Sequence, residues 1–161
     1  MKICYLHIGS NMGDRFSNLM EAIDSIEVEI GKVFKKSSIY VTEAWGNTDQ
    51  KAFLNQALSI RTRQNGLEIL SNIQKIEKKM GRVRTVHWGP RLIDIDIIFL
   101  GKSIINLPKL KIPHPLMHKR KFVLIPSNEI ASHFTHPILK KQIRTLLKNC
   151  KDESEVTIYN E

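Results

Sequence analysis

The chain is poor in cysteine. Cys4 and Cys150 are the only two in 161 residues, too few for a disulfide framework and without metal-ligand spacing. A reduced, cytoplasmic protein is the resulting expectation. No apolar run approaches the ~20 residues of a membrane-spanning helix. The apolar start, Met1 to Gly9, is too short and too quickly broken for a signal peptide and reads as a first strand. Repeats, low-complexity tracts and long linkers are absent, so residues 1–161 are expected to form one domain, a length that suits a proper core. Acidic residues are outnumbered, 16 against 25 basic ones, and the formal net charge of +9 favours an acidic partner: nucleic acid, a membrane surface or a phosphorylated small molecule.

The basic residues are clustered. Arg82, Arg84 and Arg91 form one group; Lys109, Lys111, Lys119, Arg120 and Lys121 form another, interleaved with His114 and His118. Between the groups lies Leu92-Ile93-Asp94-Ile95-Asp96-Ile97-Ile98-Phe99-Leu100. In a strand, Asp94 and Asp96 point to one face, roughly 6.5–7 Å apart along the chain. That face would continue as Ile98 and Leu100, so it does not read as plainly wet. The plain alternative is an amphipathic strand with one solvated face. Two carboxylates that resist desolvation together call for a cation between them, and a divalent metal bound through oxygen answers that need. Arginines alongside such a metal are what a polyphosphate requires.

Residues Gly9 to Asp14 read as a turn ending in a helix cap, and Phe16, Leu19, Met20, Ile23, Ile26 and Ile30 recur at helical spacing up to Gly31. A strand is expected over Val33 to Thr42, a loop over Glu43 to Gln50 and a strand over Ala52 to Thr62. Leu67 to Met80 forms a second helix, Leu92 to Leu100 the acidic strand, and Ile104-Ile105 a short strand. A last helix runs from about Ile138 to Lys148. This order predicts an α+β fold: a ferredoxin-like βαββαβ sandwich with extra elements, in three layers α/β/α.

Four ordered signatures now carry a resemblance: Ile8-Gly9-Ser10-Asn11-Met12-Gly13-Asp14-Arg15; Gly81-Arg82-Val83-Arg84 followed by Trp88-Gly89-Pro90-Arg91-x-x-Asp94-Ile95-Asp96; Ile112-Pro113-His114-Pro115-Leu116-Met117-His118-Lys119-Arg120-Lys121-Phe122-Val123-Leu124; and Glu129-Ile130-Ala131. From the first strand to about Ala131 the chain resembles the 6-hydroxymethyl-7,8-dihydropterin pyrophosphokinase family of folate biosynthesis. The resemblance implies transfer of the terminal pyrophosphate of ATP to the pterin hydroxymethyl group, with AMP leaving. It implies two Mg²⁺ ions on Asp94 and Asp96, and catalytic roles for Arg82 and Arg91. It puts Arg84, Trp88, Ile97, Lys109, His114 and Arg120 on the nucleotide side, with Gln74 and Glu77 near the adenosine. Thr42, Glu43, Trp45, Phe53, Asn55 and Phe122 fall on the pterin side. Phe53 stands in place of a usual tyrosine, Lys109 where arginine is common, and Glu43-Ala44 where proline-containing sequence is common. The implied partners are ATP and the dihydropterin, with no membrane or nucleic acid and a monomer expected.

An RNA-binding module is the rival from another class, since a basic ferredoxin-like sheet fits it superficially. The run of aromatics that an RRM carries on its central strands is missing, and Asp94 and Asp96 would repel a phosphate backbone. Lys151 to Glu161 is polar, lies outside the resemblance and suggests no function.

Overall fold

The structure, a computed structural model, describes residues 1–43, 49–81 and 92–160. Apolar residues alternate along β1 (Lys2–Ser10), which lies inside the sheet. Helix α1 (Arg15–Glu29) starts where the Asp14 side chain accepts from the Ser17 N–H, and it buries Leu19, Ala22, Ile23 and Ile26. Strands β2 (Lys32–Lys36), β3 (Tyr40–Thr42) and β4 (Phe53–Thr62) follow. Helix α2 (Gly66–Lys79) opens on a capping box between Asn65 and Glu68 and buries Ile69, Ile73 and Ile76. Then come β5 (Asp94–Leu100), the hairpin of β6 (Ile105–Leu107) and β7 (Leu110–Ile112), α3 (Lys121–Ala131), α4 (Ile143–Lys148) and β8 (Val156–Ile158).

The described residues form a six-stranded sheet in the order β5-β1-β4-β3-β8, with β2 also on β4 and every pairing antiparallel. One apolar cluster packs α1 and α2 against one face through Leu6, Ile8, Ile26, Leu58, Ile73 and Ile97. A second packs α3 and α4 against the other face through Ile98, Phe99, Met117, Leu124 and Ile143. This is the expected three-layer ferredoxin-like plan. A Lys75–Glu29 ion pair at 3.1 Å also joins α1 to α2, but the lysine is largely exposed. Such a pair contributes about 0–1 kcal/mol, so apolar burial holds the helices.

The structure departs from the sequence reading at several places. The strand expected over Val33 to Thr42 is broken, because the Ser37 hydroxyl accepts the Ala57 N–H and the Ser37 carbonyl accepts from Gln56 Nε2. The last helix starts at Ile143, not near Ile138. Residues 135–142 make a turn instead, in which His136 Nδ1 accepts from the Ile138 and Leu139 N–H groups and Lys140 has φ 58°. Helix α3, with Pro126 inside it, covers a segment to which the sequence reading assigns no element. Leu100 does not share the face of Asp94 and Asp96: the register slips between Tyr5 and Leu6, Leu6 pairs Ile97, Tyr5 pairs Phe99, and Ile98 bulges. The tail is not idle. β8 pairs β3, Tyr159 stacks on Phe16, and the Asp152 carboxylate accepts the Lys121 N–H at the start of α3.

Gly31 packs where a Cβ would be driven into the Arg61 backbone carbonyl, which cannot step aside. Gly31→Ala is therefore expected to destabilise the fold by about 1–3 kcal/mol, read as a lowered urea midpoint at unchanged slope. An unchanged midpoint would show that this approach is looser than it is drawn.

Candidate active site

Cross-strand partners in a sheet share a face. Register places Asp94 opposite Gly9, Gly9 opposite Asn55, and Asn55 opposite Tyr40. The neighbouring row is Asp96, His7 and Ala57, and Thr42 stands opposite Phe53. Adjacent strands lie ~4.8 Å apart, so two spacings, roughly 10 Å, separate Asp94 from Asn55. Gly9 keeps that interval clear: a Cβ there would stand 2.8 Å from Asn55 Oδ1 and 3.5 Å from the Phe53 ring.

Asp94 and Asp96 are half-buried at the start of the edge strand. Glu77, buried on α2, accepts the outward Ile95 N–H at 3.0 Å and so holds the strand edge between the two aspartates. Arg120 faces the pair. Burial lowers its proton affinity, and the Asp96 and Asp94 carboxylates oppose that effect. Among the described residues no cluster of three or more His, Cys, Asp or Glu has the geometry of a metal site. Two carboxylates on one face nonetheless form a donor set that suits Mg²⁺, which binds one or two carboxylates and keeps its other positions for water and phosphate. Cys4 is no competing nucleophile, since burial pushes its thiol up to about 12.

A cleft of about 270 Å³ opens beside Asp96. Its floor is Ile95 to Ile97, one wall is Leu70 and Ile73 of α2, and the other is Pro108 to Lys111 of the β6–β7 hairpin, with His114 and Pro115 at the end. The structure thus brings Asp96, Ile97, Lys109 and His114 together. The His114 Nδ1 accepts the Leu116 N–H, and burial, aided by Arg120, lowers the ring to about 4. A neutral ring with Nδ1 so engaged carries its proton on Nε2 as a donor. Gln74 is exposed one turn along α2 from Leu70.

At the other end of the row, Asn55 Nδ2 donates to Thr42 Oγ1 at 2.6 Å, and both side chains are buried. Phe53 and Phe122 are half-buried, and Glu43 is exposed. The chain leading into Phe53 is clasped from the first loop: Asn11 Nδ2 donates to Gln50 Oε1 and the Lys51 carbonyl, and Arg15 donates to the Ala52 carbonyl. Glu129 of α3 accepts from the Ser38 N–H and from the Tyr40 hydroxyl, joining α3 to β3. Trp45, Arg82, Arg84, Trp88 and Arg91 lie outside the described residues. Two residues of this face escaped the sequence reading. A glycine inside an apolar strand was the available signal for Gly9; for His7 it was a histidine at a position the strand period turns toward the second layer.

A family model described as 7,8-dihydro-6-hydroxymethylpterin-pyrophosphokinase matches residues 5–132. A relative from Aquifex aeolicus, named 2-amino-4-hydroxy-6-hydroxymethyldihydropteridine pyrophosphokinase, is 41% identical over 144 residues, covering 89% of this chain and 89% of its own length. Its namesake from Bacillus subtilis is 43% identical over 129 residues, covering 80% and 77%. A wild-type Plasmodium falciparum HPPK-DHPS structure with pteroate superposes with a TM-score of 0.73, over 91% of this chain and 42% of that longer one. At 18% identity it shows the shared fold alone. Fold and relatives together define an enzyme of the ferredoxin-like α+β class. The chain belongs to the 7,8-dihydro-6-hydroxymethylpterin-pyrophosphokinase family.

Three buried or half-buried histidines set an acid limit. Burial is the main cause that lowers each of His7, His114 and His136 to about 4. The unfolded chain protonates these rings near 6.5, so between pH 6.5 and 4 unfolding takes up protons. Stability is full above that window and is lost as pH falls through it; the fully buried His7 alone accounts for about 3 kcal/mol at most. A urea midpoint clearly lower at pH 5 than at pH 7.5 is expected, and equal midpoints would contradict the burial of these rings.

Proposed function

We propose that the chain, as a single domain over residues 1–161, transfers the terminal pyrophosphate of ATP to the hydroxymethyl group of 6-hydroxymethyl-7,8-dihydropterin in a Mg²⁺-dependent step of folate biosynthesis, giving AMP and the pterin diphosphate. The observation that carries this reading is the row Asp94, Gly9, Asn55 on one sheet face, with a cleft opening beside Asp96. It offers a hydrogen-bonding amide at one end, a cleared interval in the middle and paired carboxylates at the other end.

Asn55 and Thr42 suit the edge of a flat heterocycle, and Phe53 and Phe122 its two faces. The cleft between α2 and the β6–β7 hairpin suits the adenosine, with apolar Leu70, Ile73 and Ile97 against the base. Lys109, His114 and Arg120 supply donors for phosphate oxygens, and Gln74 and Glu77 flank this side on α2. Asp94 and Asp96 would hold the two Mg²⁺ ions, whose charge offsets that of the triphosphate when bound. Transfer needs in-line geometry and relief of negative charge more than a strong base. Arg82 and Arg91 are assigned that relief at the transferring group, and Arg84 and Trp88 nucleotide contacts. Glu43 and Trp45 are assigned to the rim of the pterin side. Work as a monomer completes the reading.

Incubation with ATP, Mg²⁺ and the dihydropterin is expected to yield AMP, not pyrophosphate. Asp94→Ala and Asp96→Ala are expected to fold and to lose nearly all Mg²⁺-dependent turnover; full activity in both would remove the metal role. Gly9→Ala is expected to raise the pterin KM while leaving the ATP KM within about twofold, since the new Cβ meets Asn55, not the cleft. A change confined to the ATP KM would overturn this placement of the pterin.

A further inference from the structure

His7 is 4% exposed, sits in a central strand and pairs across the sheet with Asp96. A buried histidine needs a hydrogen-bond partner, and the partner here is the Phe122 main-chain carbonyl, 3.1 Å from Nε2. Pro126 explains why that carbonyl is open to it. In an α-helix the carbonyl of residue 122 accepts the N–H of residue 126. Pro126 has no N–H, and its ring crowds the same carbonyl. A carbonyl can only accept, so Nε2 carries the proton, and burial keeps the ring neutral. The His7 ring also meets the Phe122 ring edge-on, with centroids 5.6 Å apart. Phe122 is therefore held by one residue at both its backbone and its ring.

The first turn of α3 has further ties. The Lys121 N–H goes to Asp152, and the Val123 and Leu124 N–H groups go to the Arg120 carbonyl. Arg120 and Phe122 thus share one turn, the guanidinium lying 5.8 Å from the ring centre. That turn carries a cation facing Asp94 and Asp96 and an aromatic plane assigned to the pterin.

We propose that His7 is a positioning residue for the pterin: by donating to the carbonyl that Pro126 leaves open, it fixes the turn of α3 that presents Phe122. This rests on the pterin reading of Phe122 given above. The device is specific to a histidine on β1 matched with a proline on α3, and it predicts that the two residues are coupled.

The test is a double-mutant cycle on the full chain, with pterin KM, ATP KM and kcat measured separately. His7→Leu fills the same space without a donor and is expected to raise the pterin KM about tenfold, with the ATP KM within about twofold. Pro126→Ala alone restores a helix N–H and is expected to change little. The double variant is expected to regain most of the lost pterin affinity, because the N–H restored at position 126 can then bond the Phe122 carbonyl. His7→Gln, which keeps a donor, is expected to fall between the parent and His7→Leu. A pterin KM unchanged in His7→Leu, or equal losses for both substrates with no recovery in the double variant, would overturn the proposal. If His7→Leu does not fold, the parent protein decides: an Nε2 proton of His7 in slow exchange by nitrogen-15 NMR supports the bond, and a bare Nε2 overturns it. A parent chain that does not turn over the dihydropterin would overturn the functional reading and this role together, whereas an active parent with an insensitive His7→Leu overturns the role alone.

Discussion

The site depends on holding two like charges on one face of an edge strand. At the ~7 Å spacing of alternate strand residues, two carboxylates repel by about 2–3 kcal/mol at an effective dielectric of 20. An edge strand has a partner on one side only and would yield to such a load by fraying. Here β1 pairs one side of β5, and Glu77 accepts Ile95 N–H on the other, between the two charges. Arg120 supplies an opposing charge from the layer above. Beyond the pair the bulge at Ile98 redirects the strand, so that Ile98 and Phe99 both enter the second core and anchor it. The acids are thus held by strand geometry and by charge together.

The second layer positions the rest. Helix α3 lies over the sheet with Arg120 at its start, Phe122 in its first turn and Glu129 reaching the hydroxyl of Tyr40. The segment after α4 closes this arrangement from outside the region the family model matches: Asp152 accepts an N–H at the head of α3, and β8 pairs with β3, the strand that carries Thr42. Residues that looked inert as a polar tail therefore brace two walls of the candidate pterin site.

Legibility followed the range of the interactions. Helices α1 and α2 were readable because apolar spacing and, for α1, the Asp14 cap are local signals. The acidic pair was readable because alternation in a strand is also local. Reading failed where a distant group intervened. Ser37 breaks its strand by bonding residues about 20 positions away. Leu100 changes face because of a bulge set by pairing with β1. Helix α3 contains a proline, and the carbonyl it leaves without a helical N–H is bonded from a strand more than 100 residues earlier in the chain. Glu77, placed with Gln74 near the adenosine, is buried and bonded to β5, whereas Gln74 stays in solvent.

By itself the sequence determined β1, the two amphipathic helices, the long strand between them and the shared face of Asp94 and Asp96, since each follows from the period of a helix or strand within a few residues. Only the tertiary structure decided that residues 94, 9 and 55 lie in one line and that His7 reaches Phe122. Those neighbours are set by strand register and by the packing of layers, and a contact between residues so far apart in the chain leaves no periodic trace in it.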